Sequence, residues 1–340
     1  MRGNGNGDWG IIGESRAIRE TRAIIARVGP TDLPVLIEGA TGVGKELVAR
    51  ALHAASRRPG AFVAFNVCAI PEGTFEAELF GHVKGAFTGA THDRLGYLAE
   101  ANFGTAFLDE IGSLPPGLQP KLLRAVELRE FRPVGAGKDR RSDFRVVGAT
   151  NQSLEMLVHR REFRADLFHR LRGVTLHIPP LAQRREDIPC LARHFASRAV
   201  PGGAARLTTE AIAELQARDW PGNVRALRHV IEIALVLFPG SPLGAAEVRA
   251  AVAGGEGPHD NGEPADGLPH RVLATLSEVG WNVTIAAQRL GVHRATVHRW
   301  IRLFGLARPA YVAAQGVARC CATSHGLAAT PTAHDRSTRP

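Results

Sequence analysis

Long apolar runs are missing from this chain. No stretch approaches the ~18 residues of a membrane helix, which excludes a spanning segment of that kind. The N-terminal stretch MRGNGNGDWG lacks the apolar centre of a secretory signal, so a cytoplasmic protein with no membrane partner is expected. Cysteine is scarce and badly spaced for pairing: Cys68, Cys190, Cys320 and Cys321 include no C-x-x-C, and adjacent cysteines do not bridge one another easily. Free thiols in a reducing compartment follow. Lysine stands only at Lys45, Lys84, Lys121 and Lys138, so the excess behind the net charge of +9 is mostly arginine. That balance favours a polyanionic partner: nucleic acid first, an anionic membrane surface second, nucleotide phosphates third. No internal repeat is visible.

What is present suffices for a globular core: 44% apolar and 22% charged residues in a chain of 340, long enough for two or three domains. From about residue 9 to 178, short apolar runs (33–39, 61–67, 105–110, 144–150, 174–178) alternate with helical patterns (45–56, 118–131). Strands with helical crossovers predict an α/β domain with a mainly parallel sheet. Residues 179–247 turn all-helical (186–200, 208–218, 224–238) and suit a helical lid. Residues 248–267, ending in a Gly/Pro/acidic stretch, are expected as a linker. Residues 268–308 form a small basic helical domain, and residues 1–8 and 309–340 carry no periodicity and are expected to be disordered.

GATGVGKE (39–46) follows an apolar strand and opens a helical pattern. That is the context of a phosphate-binding loop, in which glycines let backbone N–H groups converge on phosphate oxygens at a helix N-terminus. Gly39, Ala40, Thr41, Gly42, Val43, Gly44, Lys45 and Glu46 are the candidate ATP-binding residues, with Lys45 reaching the β- and γ-phosphates. Glu46 stands where serine or threonine usually meets Mg²⁺. TAFLDE (105–110) then ends a strand in two carboxylates. In phosphate-loop ATPases such an Asp109 holds Mg²⁺ and such a Glu110 polarises the attacking water. GHVKGAFTGA (81–90) reads as a glycine-bracketed loop with Phe87 near its tip. A phenylalanine that stays exposed there has something to touch.

VTIAAQRLGVHRATVHRWIR (283–302) fits a helix-turn-helix by spacing. Gly291 makes the turn, small Ala287 lets the helices cross, and Ala286, Leu290, Val292, Val297 and Trp300 take the apolar positions. The second helix then offers His293, Arg294, Thr296, His298 and Arg299 to a major groove.

ELFGHVKGAFTGA (78–90), between GATGVGKE and GTAFLDEIG, resembles the AAA+ domain of sigma-54-dependent transcriptional activators, the bacterial enhancer-binding proteins of NtrC type. The resemblance runs over about residues 11–307. It implies an AAA+ ATPase with a helical lid and a Fis-type helix-turn-helix that pairs on enhancer DNA. It also implies ATP and Mg²⁺ as cofactors, and a homo-oligomer, from dimer to hexameric ring, that remodels the sigma-54 RNA polymerase holoenzyme. Gly85, Ala86, Phe87, Thr88, Gly89 and Ala90 would contact sigma-54. Asn66 would pair with the catalytic Glu110, and Thr150 and Asn151 would lie near the γ-phosphate. Arg164 and Arg170 would be arginine fingers reaching a neighbouring subunit, and Arg225 would reach the nucleotide from the lid. Glu46 is common in this family. The chain departs from the family pattern at Ala182, Gln183 and Ala226, which bear on lid salt bridges, and in FRPVGAG (131–137). The AAA+ pattern starts by about residue 9, so no receiver domain is expected in front of it. A DNA-binding regulator or repressor without remodelling activity is the alternative, and an AAA+ remodeller of another kind explains neither the 85–90 loop nor the terminal helices.

Overall fold

A computed structural model of the chain describes residues 9–199, 207–238, 241–255, 268–290, 294–303 and 306. The expectations for residues 1–8 and 309–340 lie outside this set. The first helix, α1 (Arg16–Val28), buries Ile18, Thr21 and Ile25 along one face, and the Ser15 hydroxyl caps it by accepting from the Ile18 N–H at 3.3 Å. Its C-terminal carbonyls are closed by Arg145. This fully buried guanidinium donates to the carbonyls of Val28, Gly29 and Leu33 at 3.0, 2.7 and 3.1 Å.

All five expected strands form, each trimmed by one to three residues. β1 (Val35–Glu38) leads through α2 (Lys45–Ser56) to β2 (Phe62–Asn66). Next come α3 (Glu72–Phe80), a hairpin of β3 (Gly81–His82) and β4 (Arg94–Leu95), and α4 (Tyr97–Glu100), before β5 (Thr105–Asp109). Then α5 (Gln119–Leu128) and a second hairpin, β6 (Glu130–Phe131) with β7 (Arg140–Arg141), precede β8 (Arg145–Thr150). Finally α6 (Leu154–His159) and α7 (Ala165–Leu171) precede β9 (Val174–His177). The helix expected to reach residue 131 stops at Leu128, because Arg129 turns left-handed (φ 58°) and Glu130 and Phe131 pair with Arg141 and Arg140.

The sheet is parallel throughout, in the order β2-β5-β8-β1-β9. Its central strand β8, RVVGAT, is buried at every position, as a strand covered on both faces must be. One face packs on α1 and α2 through Ile25, Val48 and Leu52, and the other on α3, α5 and α7 through Phe75, Leu122 and Leu167. Register matters most for function. Glu38 lies level with Thr150, and Asn66 with Asp109, so the C-terminal ends of four strands form one ledge.

The lid follows as α8 (Ile188–Ala199), α9 (Thr209–Gln216), α10 (Asn223–Leu237) and α11 (Ala245–Gly255). Val248, Ala251 and Val252 are buried against the other lid helices. Residues 248–255, expected as the start of the linker, are therefore a helix of the lid, and 256–267 lie outside the described residues. The terminal helices are α12 (Leu268–Glu278), α13 (Val283–Arg289) and α14 (Arg294–Leu303). Val272, Leu276, Ala286, Val297 and Trp300 form their core, which also takes in Leu237 from the end of α10.

Candidate functional site

The phosphate loop turns where its glycines permit. Gly42 and Gly44 have φ of 80° and 107°, a region costly for other residues, and Gly44 starts α2 with no side-chain cap. The N–H groups at this helix start are thus left for another acceptor. Val43 is buried in the core and anchors the loop, while Ala40 and Thr41 are exposed. Lys45 is 6% exposed, and its Nζ donates to the Gly39 carbonyl at 2.9 Å and sits 3.3 Å from Glu110 Oε1. Glu46 is exposed and pairs with Arg50 one turn on at 2.7 Å.

Beside the loop, β5 delivers Asp109 and Glu110. Glu110 sits in the left-handed region (φ 53°), a strained position for a non-glycine residue. Its Oε2 accepts from the Asn151 N–H at 3.2 Å, and the Asn151 side chain reaches the Thr41 hydroxyl at 3.3 Å. Lys45, Glu110, Asn151 and Thr41 are thereby joined. The Thr150 hydroxyl points elsewhere: it donates to the Gln152 carbonyl at 3.1 Å and is buried. Asn66 does not pair with Glu110. Its Nδ2 lies 3.4 Å from Asp109 Oδ2, its register partner in the sheet, while its Oδ1 accepts from the Cys68 N–H at 2.8 Å. Lys45 and Asn151 already occupy the two Glu110 oxygens. Burial, then the adjacent Glu110 charge, pushes the Asp109 carboxyl above the usual carboxylate range, with Lys45 pulling the other way. An under-compensated carboxylate pair beside a phosphate loop suits Mg²⁺, which is commonly held by one or two carboxylates together with phosphate oxygens. No cage of three or more metal-binding side chains exists among the described residues.

The lid closes over the loop. Arg225 approaches it by its backbone, the N–H donating to the Gly42 carbonyl at 3.3 Å, while its side chain is exposed. Two residues that sequence reasoning passed over complete this contact, and a third, Asp187, ties the lid to the N-terminal segment. Asn223 bridges the Thr41 carbonyl (2.9 Å) and the Leu181 N–H (2.8 Å), and Arg184 donates to the Val43 carbonyl at 3.0 Å. Asp187, fully buried, accepts from the N–H groups of Glu14 and Ser15 at 2.6 and 2.7 Å and from the Ser15 hydroxyl at 2.7 Å. No local pattern marks them: Arg184 and Asp187 stand in the polar run QRRED (183–187), and Asn223 follows the turn residues Pro221 and Gly222.

The arginine pair lies elsewhere. Arg170 lines a cavity of about 460 Å³ with Asp32, Leu33, Arg129 and Val146, at the strand-start end of the sheet. Arg164 is exposed at the start of α7 and forms a two-point pair with Asp166 at 3.0 and 2.6 Å. Neither meets the chain's own phosphate loop among the contacts described.

Residues 85–90 fold as a compact turn between β3 and β4. Gly85 donates to the Ala90 carbonyl at 2.9 Å and Ala90 to the Phe87 carbonyl at 3.0 Å; Gly85 and Gly89 have φ of 81° and 101°. Ala90 is buried and Ala86 half-buried, whereas Phe87 is 44% exposed and Thr88 and Gly89 are exposed. The Phe87 ring meets His82 edge-on at 5.0 Å. The second hairpin supports the turn: Val83 donates to the Val134 carbonyl at 3.1 Å, and Val134 to that of Gly81 at 2.8 Å. In the terminal domain Arg294 and His298 are exposed on α14. Thr296 and Arg299 belong to the same helix, and His293 and Gly291 lie outside the described residues.

Comparison with known proteins follows the same division. Residues 11–177 match the family described as Sigma-54 interaction domain, 182–265 the AAA+ ATPase lid domain, and 270–310 a Homeodomain-like domain. The chain is 44% identical over 305 residues to the transcriptional regulatory protein ZraR of Klebsiella oxytoca, covering 85% of this chain and 68% of that protein. It is 39% identical over 330 residues to the DNA-binding transcriptional regulator NtrC of Azospirillum brasilense, covering 86% and 69%. The crystal structure of NtrX from Brucella abortus in complex with ATP superposes with a TM-score of 0.65 at 34% identity, covering 87% of this chain and 69% of that one.

Proposed function

The chain belongs to the family of sigma-54-dependent transcriptional activators, and we propose that it couples ATP hydrolysis to remodelling of the sigma-54 RNA polymerase holoenzyme from an enhancer site. One observation carries this reading. The 85–90 turn presents Phe87 and Thr88 to solvent on the same α/β body whose strand ends gather Lys45, Asp109, Glu110 and Asn151 beside the phosphate loop. A buried Phe87 would have left nothing to contact. The ATP-bound relative of the same fold supports ATP as the ligand of residues 39–46. Mg²⁺ would be held by Asp109 together with the nucleotide, supplying charge neutralisation at the phosphates. Glu110, fixed through Lys45 and Asn151, would orient the attacking water.

Arg164 and Arg170 are proposed to complete a neighbour's site. Their distance from the chain's own loop suits a finger that acts across a subunit interface, which makes hydrolysis depend on assembly. The oligomer is expected to be a ring. The exposed face of α14, with Arg294 and His298 and the accompanying Thr296, Arg299 and His293, is proposed to read enhancer DNA.

Subunit mixing tests this directly. Lys45→Ala and Arg170→Ala are each expected to be inactive alone, and a mixture of the two to recover part of the ATPase activity, because one supplies an intact finger and the other an intact loop. Inactive mixtures of well-assembled variants would remove the trans finger. Retained DNA binding without any ATPase activity in the wild type would favour the non-remodelling regulator.

A further inference from the structure

Three consecutive carbonyls of the phosphate loop are held from the lid side. The Thr41 oxygen accepts from Asn223 Nδ2 at 2.9 Å, that of Gly42 from the Arg225 N–H at 3.3 Å, and that of Val43 from Arg184 Nη2 at 3.0 Å. In a trans peptide the carbonyl and the following N–H point in opposite directions. Holding these three oxygens therefore fixes the directions of the Gly42, Val43 and Gly44 N–H groups. The Val43 N–H closes a turn on the Ala40 carbonyl at 3.4 Å. Those of Gly42 and Gly44 have no protein acceptor among the described residues. Two aimed and unspent donors at a helix start form an anion nest.

Asn223 is placed for this task. It is 2% exposed, holds a left-handed backbone (φ 53°), and uses both ends of its amide, the oxygen accepting from the Leu181 N–H where the lid begins. The approach is close: a Cβ on Gly42 would stand 2.3 Å from the Gly222 carbonyl. Arg184, 4% exposed, reaches the loop from a second lid segment and is steadied by the Pro179 carbonyl at 3.2 Å and Asp187 at 3.9 Å. Lid and loop thus share hydrogen bonds and not merely apolar contact.

We propose that Asn223 and Arg184 are positioning residues through which the lid sets the anion-binding conformation of the phosphate loop. Coupling of this kind is reciprocal: a bound phosphate chain that fixes the loop also fixes the lid, and a displaced lid loosens phosphate binding. The inference rests on reading residues 39–46 as the nucleotide phosphate site.

The test uses the full chain, with ADP and AMP as probes, by equilibrium titration and by thermal unfolding with and without ligand. Asn223→Gly removes the side-chain bonds to Thr41 and Leu181 while glycine keeps the left-handed backbone without strain. Arg184→Gln is the independent second variant, and Lys45→Ala is the control for the site. Asn223→Gly is expected to bind ADP about tenfold more weakly, the effect of losing one buried hydrogen bond to the loop. Its preference for ADP over AMP is expected to narrow by a similar factor, and the ADP-induced rise in melting temperature to shrink. Arg184→Gln is expected to move all three in the same direction. Wild-type ADP affinity and ADP-over-AMP preference in either folded variant, beside a Lys45→Ala that has lost binding, would overturn the proposal alone. Equal weakening of ADP and AMP would reduce Asn223 to lid packing and overturn it too. If Lys45→Ala binds ADP as the wild type does, the phosphate-site reading falls first and the inference falls with it.

Discussion

Replacing Asp187 by asparagine tests how the N-terminal segment, the lid and the phosphate loop are tied together. The carboxylate is fully buried; Oδ1 takes the N–H groups of Glu14 and Ser15, and Oδ2 takes the Ser15 hydroxyl and faces Arg184. Asparagine can keep its oxygen on the two N–H groups, but both bonds lose their charge assistance, from roughly 1.5–3 to about 1 kcal/mol each. Its amide nitrogen then faces the Arg184 guanidinium, itself nearly inaccessible, as donor against donor. Breaking a buried ion pair from one side costs about 3–5 kcal/mol. Arg184 keeps the carbonyls of Pro179 and Val43, so the lower end applies, about 3 kcal/mol for the whole change. For a body of this size that is a fall in melting temperature of about 6–12 °C. Calorimetry at pH 7 reads it, and hydrogen exchange should show residues 11–15 losing protection first. A fall below about 2 °C would refute the reasoning and make Asp187 a replaceable cap of α1.

Asp109→Asn is expected to raise the melting temperature of the nucleotide-free chain at pH 7 while abolishing ATP hydrolysis. Burial and Glu110 hold the folded Asp109 pKa above its unfolded value, so ionisation costs stability as pH rises through that interval. The gap between variant and wild type should therefore close as pH falls toward about 4, in melts recorded across pH. Gly135→Ala puts a methyl group 2.7 Å from Ala86 Cβ on a backbone with φ of 77°. It is expected to displace the 85–90 turn and weaken sigma-54 binding at least fivefold in a pull-down titration, with the ATPase rate within about twofold of wild type.

Much of the α/β body could be read from the sequence, because each strand and helix there is marked by local pattern. Apolar runs bounded by glycine or by carboxylates gave β1, β5 and β8 to within two residues, and the strand–glycine–helix order placed Lys45 correctly. Strand order could not be read, since it depends on which apolar faces meet. The family resemblance implies Glu110 as the partner of Asn66, whereas the sheet register sets Asn66 level with Asp109, one residue earlier. The end of α5 depends on a left-handed arginine, Arg129, where sequence offers no glycine to mark the stop. Asn223, Arg184 and Asp187 carry no local signal of their role. Their partners are Thr41, Val43 and Glu14–Ser15, all more than a hundred residues away in the chain. Residues 248–255 of α11 read as linker because their alanines and glycines resemble one in composition, though Val248 and Val252 face the lid core.

The central claim is that the exposed tip of the 85–90 turn delivers the ATPase cycle to sigma-54. The most direct measurement is binding of purified sigma-54 in the presence of ADP–aluminium fluoride, comparing wild type with Thr88→Ala. The account predicts a complex with wild type that requires the nucleotide analogue and is lost in Thr88→Ala, with ATPase activity retained by the variant. A wild type that assembles and hydrolyses ATP but forms no such complex would contradict it.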